Sequence, residues 1–139
     1  MSGTMPAYIR DEILDHLAKN DTFTPQTTVY AALTKTTPTA ATAGTELTAA
    51  INTGYARVSL TLADLFGTAS SGVLTTAIDI LFPQNTDTEA WESATHVEFY
   101  DAATDGNRCL PWMALSSAVA CPVNEQVKVP SGSGTITGS

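Results

Sequence analysis

Basic residues are scarce in this sequence: six Lys and Arg stand against fourteen Asp and Glu in 139 residues, a formal net charge of -8. Nucleic-acid surfaces attract phosphate through clustered Lys and Arg, so this balance argues against DNA or RNA as a partner. Cysteine is nearly absent. Cys109 and Cys121 are too few for the disulfide framework of a small secreted domain, and their spacing fits no zinc pattern. Were Cys109 to Cys121 one continuous strand, the sulfurs would lie about 40 Å apart, so a bond between them needs a turn near Ser116-Ser117. Two buried thiols are the expected state. No run approaches the roughly 20 apolar residues of a membrane span, and the start lacks the basic region and apolar core of a secretory signal.

Catalytic signatures are missing too. There is no Gly-rich phosphate loop ending in Lys-Ser/Thr, no His-Glu-x-x-His and no Gly-x-Ser-x-Gly. His16 and His96 are the two imidazoles. His16 has no partner cluster and reads as a boundary histidine, and a triad of His96, Asp101 and Ser117 lacks the elbow motif that presents a nucleophile. Asp87, Glu89, Glu92 and Asp101 lack the spacing of a calcium loop and read as a solvated acidic edge. No two acids can be placed facing each other across a cleft, as glycoside hydrolysis needs. The expectation is a protein that is not an enzyme, with no catalytic residue, no cofactor and no metal.

What the chain does contain is enough apolar material for a core. It is 43% hydrophobic and 14% charged, so it is not disordered on composition. Its length suits a single domain with a radius of gyration of roughly 14 Å. The expected organisation is one domain over 1–139, with a helix at 6–20, a β-sandwich at 26–130 and a Gly/Ser-rich tail at 131–139. Thr, Ala and Ser dominate where Lys and Glu are sparse, a composition that favours strands over exposed helices and looks extracellular or virion-like.

Ile9, Ile13, Leu14 and Leu17 fall on one stripe of a 3.6-residue period, with Asp11, Glu12, Asp15 and Lys19 opposite. Pro6 suits the first turn, and the helix should stop near Asn20 and Asp21. After Pro25, Thr27 to Thr34 reads as the first strand and Lys35 to Thr48 as a long surface loop. Tyr55 to Leu62 alternates, predicting Ala56, Val58, Leu60 and Leu62 as core. Ala63 to Ser71 reads as loop, Thr75 to Phe82 as a strand, and Thr95 to Tyr100 as another with Val97 and Phe99 inward. Asp105-Gly106-Asn107 supplies the turn of a hairpin into Arg108 to Ser117. A last hairpin is expected from Val119–Val123 through Asn124-Glu125 to Val127 and Val129, with a short strand at Thr135-Ile136-Thr137. The fold class is therefore mainly β, a single β-sandwich or jelly-roll-like barrel with one N-terminal amphipathic helix.

Particular words in the chain resemble a known family. Tyr8-Ile9, Leu14-Asp15-His16-Leu17, Phe23-Thr24-Pro25 and Val29-Tyr30-Ala31-Ala32-Leu33-Thr34 are similar to the start of small structural proteins of tailed bacteriophages, commonly labelled tail fibre proteins. Thr45-Glu46-Leu47-Thr48 with Gly54-Tyr55-Ala56-Arg57, Thr95-His96-Val97, and Phe99-Tyr100-Asp101-Ala102-Ala103-Thr104-Asp105-Gly106-Asn107 match its middle. Val127-Lys128-Val129-Pro130-Ser131-Gly132 resembles its closing hairpin, although the family often has Gly-Asp where this chain has Asn124-Glu125. The resemblance implies a virion structural protein. Many short phage β-sandwiches decorate the capsid as trimers, and this chain has no internal repeat and is short for a shaft plus a receptor-binding tip. The expected role is thus a capsid decoration or cement protein on the outer surface of the phage head, a homotrimer whose partner is the major capsid protein. The alternative is a tail fibre or tail adaptor component that contacts other tail proteins and binds the host surface.

Five residues are structural or interface candidates: Glu46, Tyr55, Arg57, Trp91 and Trp112. Tyr55 and Arg57 are expected on one strand face opposite the apolar one, with Arg57 pairing with Glu46 across the preceding turn. The two tryptophans are the large aromatics that serve either a core or an interface.

Overall fold

The computed structural model describes residues 4–137. Helix α1 (Ala7–Lys19) follows Pro6, which is the N-cap rather than a first-turn residue, its ψ of 143° still extended. Asp11 and Glu12 fall beyond the first turn, which holds no acid. Asn20 closes the helix in the left-handed conformation, φ 59°, and its N–H bonds Asp15 O. The predicted stripe is only partly covered. Ile9 and Ile13 are half-buried, whereas Leu14 and Leu17 stand 55% and 75% exposed.

Strands β1 (Thr28–Thr34), β2 (Val58–Thr61), β5 (Ala94–Tyr100) and β6 (Arg108–Val119) form one antiparallel sheet in the order β2-β1-β5-β6. Between them in sequence lie the one-turn helix α2 (Leu62–Leu65) and the short strands β3 (Val73–Thr75) and β4 (Ile80–Leu81); β7 (Lys128–Val129) and β8 (Thr135–Thr137) follow β6. β3 pairs with β8 and β4 with β7. No sheet of the described residues closes into a barrel, so the sandwich-like alternative holds and the jelly-roll-like barrel does not.

Alternation decides the inner face of the main sheet. Val29, Ala31 and Leu33 of β1 lie opposite Leu60, Val58, Phe99 and Val97 in register, and Met113 of β6 joins Val97. The two short sheets cover this face, bringing Ile80, Val129 and Ile136 into the same core. Val97 and Phe99 point inward as expected, each fully buried.

Several expectations need correction. Only Leu60 of the predicted core quartet is buried; Val58 and Leu62 are half-buried and Ala56 is exposed. Gly54 turns the chain at φ 91° and the strand starts only at Val58, so the alternation does not extend back to Ala56, and Tyr55 points inward instead. The Ala63–Ser71 loop begins with the end of α2, whose Leu65 is fully buried. The single strand expected from Thr75 to Phe82 is two, because Ala77 N–H turns aside to Leu65 O. The last hairpin does not form. Pro122 offers no ladder donor, Asn85 takes the main-chain groups of Asn124 and Glu125, and β7 pairs with β4. The expected tail strand is β8, while Gly138 and Ser139 lie outside the described residues.

Candidate functional site

The outer face of the main sheet is where the charged residues converge. In β5 the alternation that sends Val97 and Phe99 inward sends His96, Glu98 and Tyr100 outward. Yet Glu98 is only 1% exposed and Tyr100 6%, because the segment between β1 and β2 folds back over them. Glu98 Oε2 accepts the Gly44 N–H at 3.0 Å, and Oε1 accepts Arg108 Nη1, also at 3.0 Å. Arg108 then donates to the carbonyls of Thr39 (2.7 Å) and Ala40 (2.9 Å). Ala40 O also accepts the Ala7 N–H, so the start of α1 is tied to the same point.

A second clasp lies beside the first. Arg57 grips Glu46 with a fork, Nε to Oε1 at 2.9 Å and Nη2 to Oε2 at 2.7 Å. Its Nη1 donates to the carbonyls of Ala102 and Asp105 in the hairpin turn, and its guanidinium carbon sits 3.8 Å from the Tyr100 ring centre. The Tyr55 hydroxyl donates to Glu46 Oε1 and accepts the Leu33 N–H. The expected Glu46–Arg57 pair is thus present, and far from a weak exposed one: the Arg57 side chain is 8% exposed. Tyr55 does not share the solvent side with it; the ring is buried, edge-on to Trp91.

Both tryptophans lie within the chain's own packing. Trp91 is 2% exposed and donates Nε1–H to Thr53 O. Trp112, on the outer face, meets the His96 ring edge-on at 5.1 Å, and its buried Nε1–H has no partner among the described residues. The acids that cluster in sequence are dispersed. Asp87 accepts the N–H groups of Thr53 and Thr88, Glu92 pairs with Lys35 and Asn52, and Asp101 accepts the Asn107 N–H. His96, Asp101 and Ser117 share no hydrogen bond among the described residues, since His96 Nδ1 pairs with Thr95 and Ser117 is exposed. His16 is exposed, its Nδ1 against Asp21 O.

The electrostatics fit groups used for holding. Burial, then the Glu46 charge, pushes the Tyr55 phenol far above its ordinary range, and burial lifts Tyr100 to about 12. Burial opposes the Arg57 charge, but the hydrogen bond and charge of Glu46 outweigh it and the guanidinium is held more firmly protonated. For Glu98, burial raises the carboxyl and Arg108 offsets only part of that rise. Burial lifts the Cys109 thiol to about 12 and raises Cys121 as well, so neither of these free, buried thiols is a ready thiolate.

Glu98 and Arg108 lie outside the residues that sequence reasoning singles out. The signal for Glu98 is its place in an alternating strand flanked by Val97 and Phe99; nothing local marks Arg108, whose partners Thr39, Ala40 and Glu98 come from other segments. A smaller feature is an apolar cavity of about 210 Å3 between α1 and β6, lined by Ile9, Ile13, Phe23, Leu62 and Cys109 among others.

Compared with known families, the chain matches the one described as Podophage GP4 fiber I protein gp80 over residues 4–137. No curated protein matches it.

Proposed function

Because this chain belongs to the podophage GP4 fiber I protein family and is a phage virion structural protein of the fibre type, we propose that it works in the tail, as a fibre component. The observation that carries the reading is the extent of the family match, which spans both clasps and every strand rather than one shared segment. The description of that family names a fibre, which favours the tail over decoration of the head shell. The protein acts by occupying and joining surfaces and catalyses nothing. Its ionisable side chains support this, since Glu46, Glu98, Arg57 and Arg108 are all engaged in holding the chain's own loops. Its partners are other tail proteins and further copies of itself, as a homotrimer. The exposed apolar side chains of α1, Tyr8, Leu14 and Leu17, are the contact we assign to them.

Cryo-electron microscopy of intact virions tests this directly. Copies confined to the tail are expected; copies spread over the shell would overturn the assignment and restore head cementing. In the same maps, threefold arrangement is expected, with α1 at the contact between copies or neighbours.

A further inference from the structure

We propose that residues 37–44 and the first turn of α1 form one strap that lifts from the outer face of the sheet as a unit, with Arg108 as its clasp. The base of the strap is closed independently of the clasp. Lys35 N–H bonds Thr45 O at 2.8 Å, and Thr45 N–H bonds Thr36 Oγ1 at 2.7 Å, so the ends stay together while the middle moves. Within the strap only Pro38 and Gly44 are buried. It is held by polar bonds, Gly44 to Glu98 and Arg108 to Thr39 and Ala40, and segments with little apolar burial open at the low end of a protein's free-energy range.

Ala40 makes the strap and the helix one unit, since its carbonyl accepts both Arg108 Nη2–H and the Ala7 N–H. The Ala7–Ala40 bond lies inside that unit and should survive the lift. The closed state carries a cost that opening removes. Thr34 Oγ1, next to Gly44 on the outer face, is buried without a hydrogen-bond partner among the described residues, and water reaching it would satisfy it. Gly44 permits closure. A Cβ there would lie 2.6 Å from Thr36 O and 2.9 Å from Thr34 Oγ1, closer than the strap allows. This inference is independent of where on the virion the protein sits.

Amide hydrogen exchange followed by mass spectrometry on the full chain tests it, with Gly44→Ala to prop the strap and Arg108→Lys to break the three-way grip, which a point-charge ammonium cannot reproduce. In either variant the amide of residue 44, whose acceptor Glu98 stays on the sheet, should exchange at least about tenfold faster, while that of Ala7, bonded within the unit, and those of 28–34 and 94–100 keep their wild-type rates. Matching acceleration of the Ala7 amide would show that helix and strap are not one unit. Equal acceleration of every segment would show that the strap has no separate opening, and no acceleration anywhere would remove the clasp. Should Gly44→Ala fail to fold, Arg108→Lys decides by the same segments.

Discussion

The two faces of the main sheet are held by opposite means. On the inner face, Val29, Leu33, Val97 and Phe99 are fully buried in one apolar cluster, so the attraction is non-directional and grows with the area covered. On the outer face, Glu98 and Arg108, and beside them Arg57, are almost as deeply buried but bonded atom to atom, reaching segments far along the chain at Gly44, Thr39 and Ala102. An apolar face stabilises whatever covers it; a fork of hydrogen bonds accepts one partner at one distance. The inner face therefore supplies the energy of the fold, and the outer face decides where the long segment after β1 lies.

Removing one group from each face breaks the comparison most sharply. Phe99→Ala leaves a cavity at the centre of the core and should cost about 4 kcal/mol, read as a lower denaturant midpoint with unchanged slope. Glu98→Gln keeps an acceptor for Gly44 but leaves Arg108 buried without its counter-charge, which should cost about 3 kcal/mol. The two should differ in character as well as size. Phe99→Ala destabilises the whole sheet, whereas Glu98→Gln should loosen 37–44 first. Uniform loosening in both variants would mean that the outer clasp is simply part of the core.

Arg57→Ala comes next, at about 2 kcal/mol, because its bonds to Glu46 are charge-assisted yet Glu46, 24% exposed, can be rehydrated. An unchanged melting temperature would show that this pair does not fix the segment between β1 and β2.

The inner face was legible from residue order alone, since a period of two across Thr95-His96-Val97-Glu98-Phe99-Tyr100 states which side chains meet a core. The hairpin through Asp105 and Gly106 was legible for a similar reason: both residues take positive φ, 53° and 77°, which their types allow at little cost. Glu46 and Arg57 were within reach because few residues separate them around one turn. The Glu98–Arg108 clasp was not, because its geometry depends on where residues 39, 40 and 44 return after a loop whose composition carries no periodicity. The closing hairpin failed on the same kind of information. Its residues suit a turn, and Asn124 does adopt φ 63°, but Asn85, far away in sequence, takes the bonds the hairpin would have used. Leu14 and Leu17 show the limit of periodicity itself, which identifies a stripe without saying how much of it the chain's own sheet will cover.

The rim between the faces should respond to acid, and weakly. Asp87 is held below its ordinary pKa by the N–H groups of Thr53 and Thr88, and Glu92 by the Lys35 ammonium and then Asn52. A carboxylate whose folded pKa is depressed contributes stability above its unfolded value, near about 4, and loses it as pH falls through the folded value. Stability should accordingly decline from about pH 4 downward, and Asp87→Asn should make that decline shallower by lowering the neutral-pH value toward the acid one. Both side chains remain open to water, so this effect ranks below the loss of any buried partner. A decline that is equally steep in Asp87→Asn would locate the acid sensitivity elsewhere, with Glu92 the next carboxylate to replace.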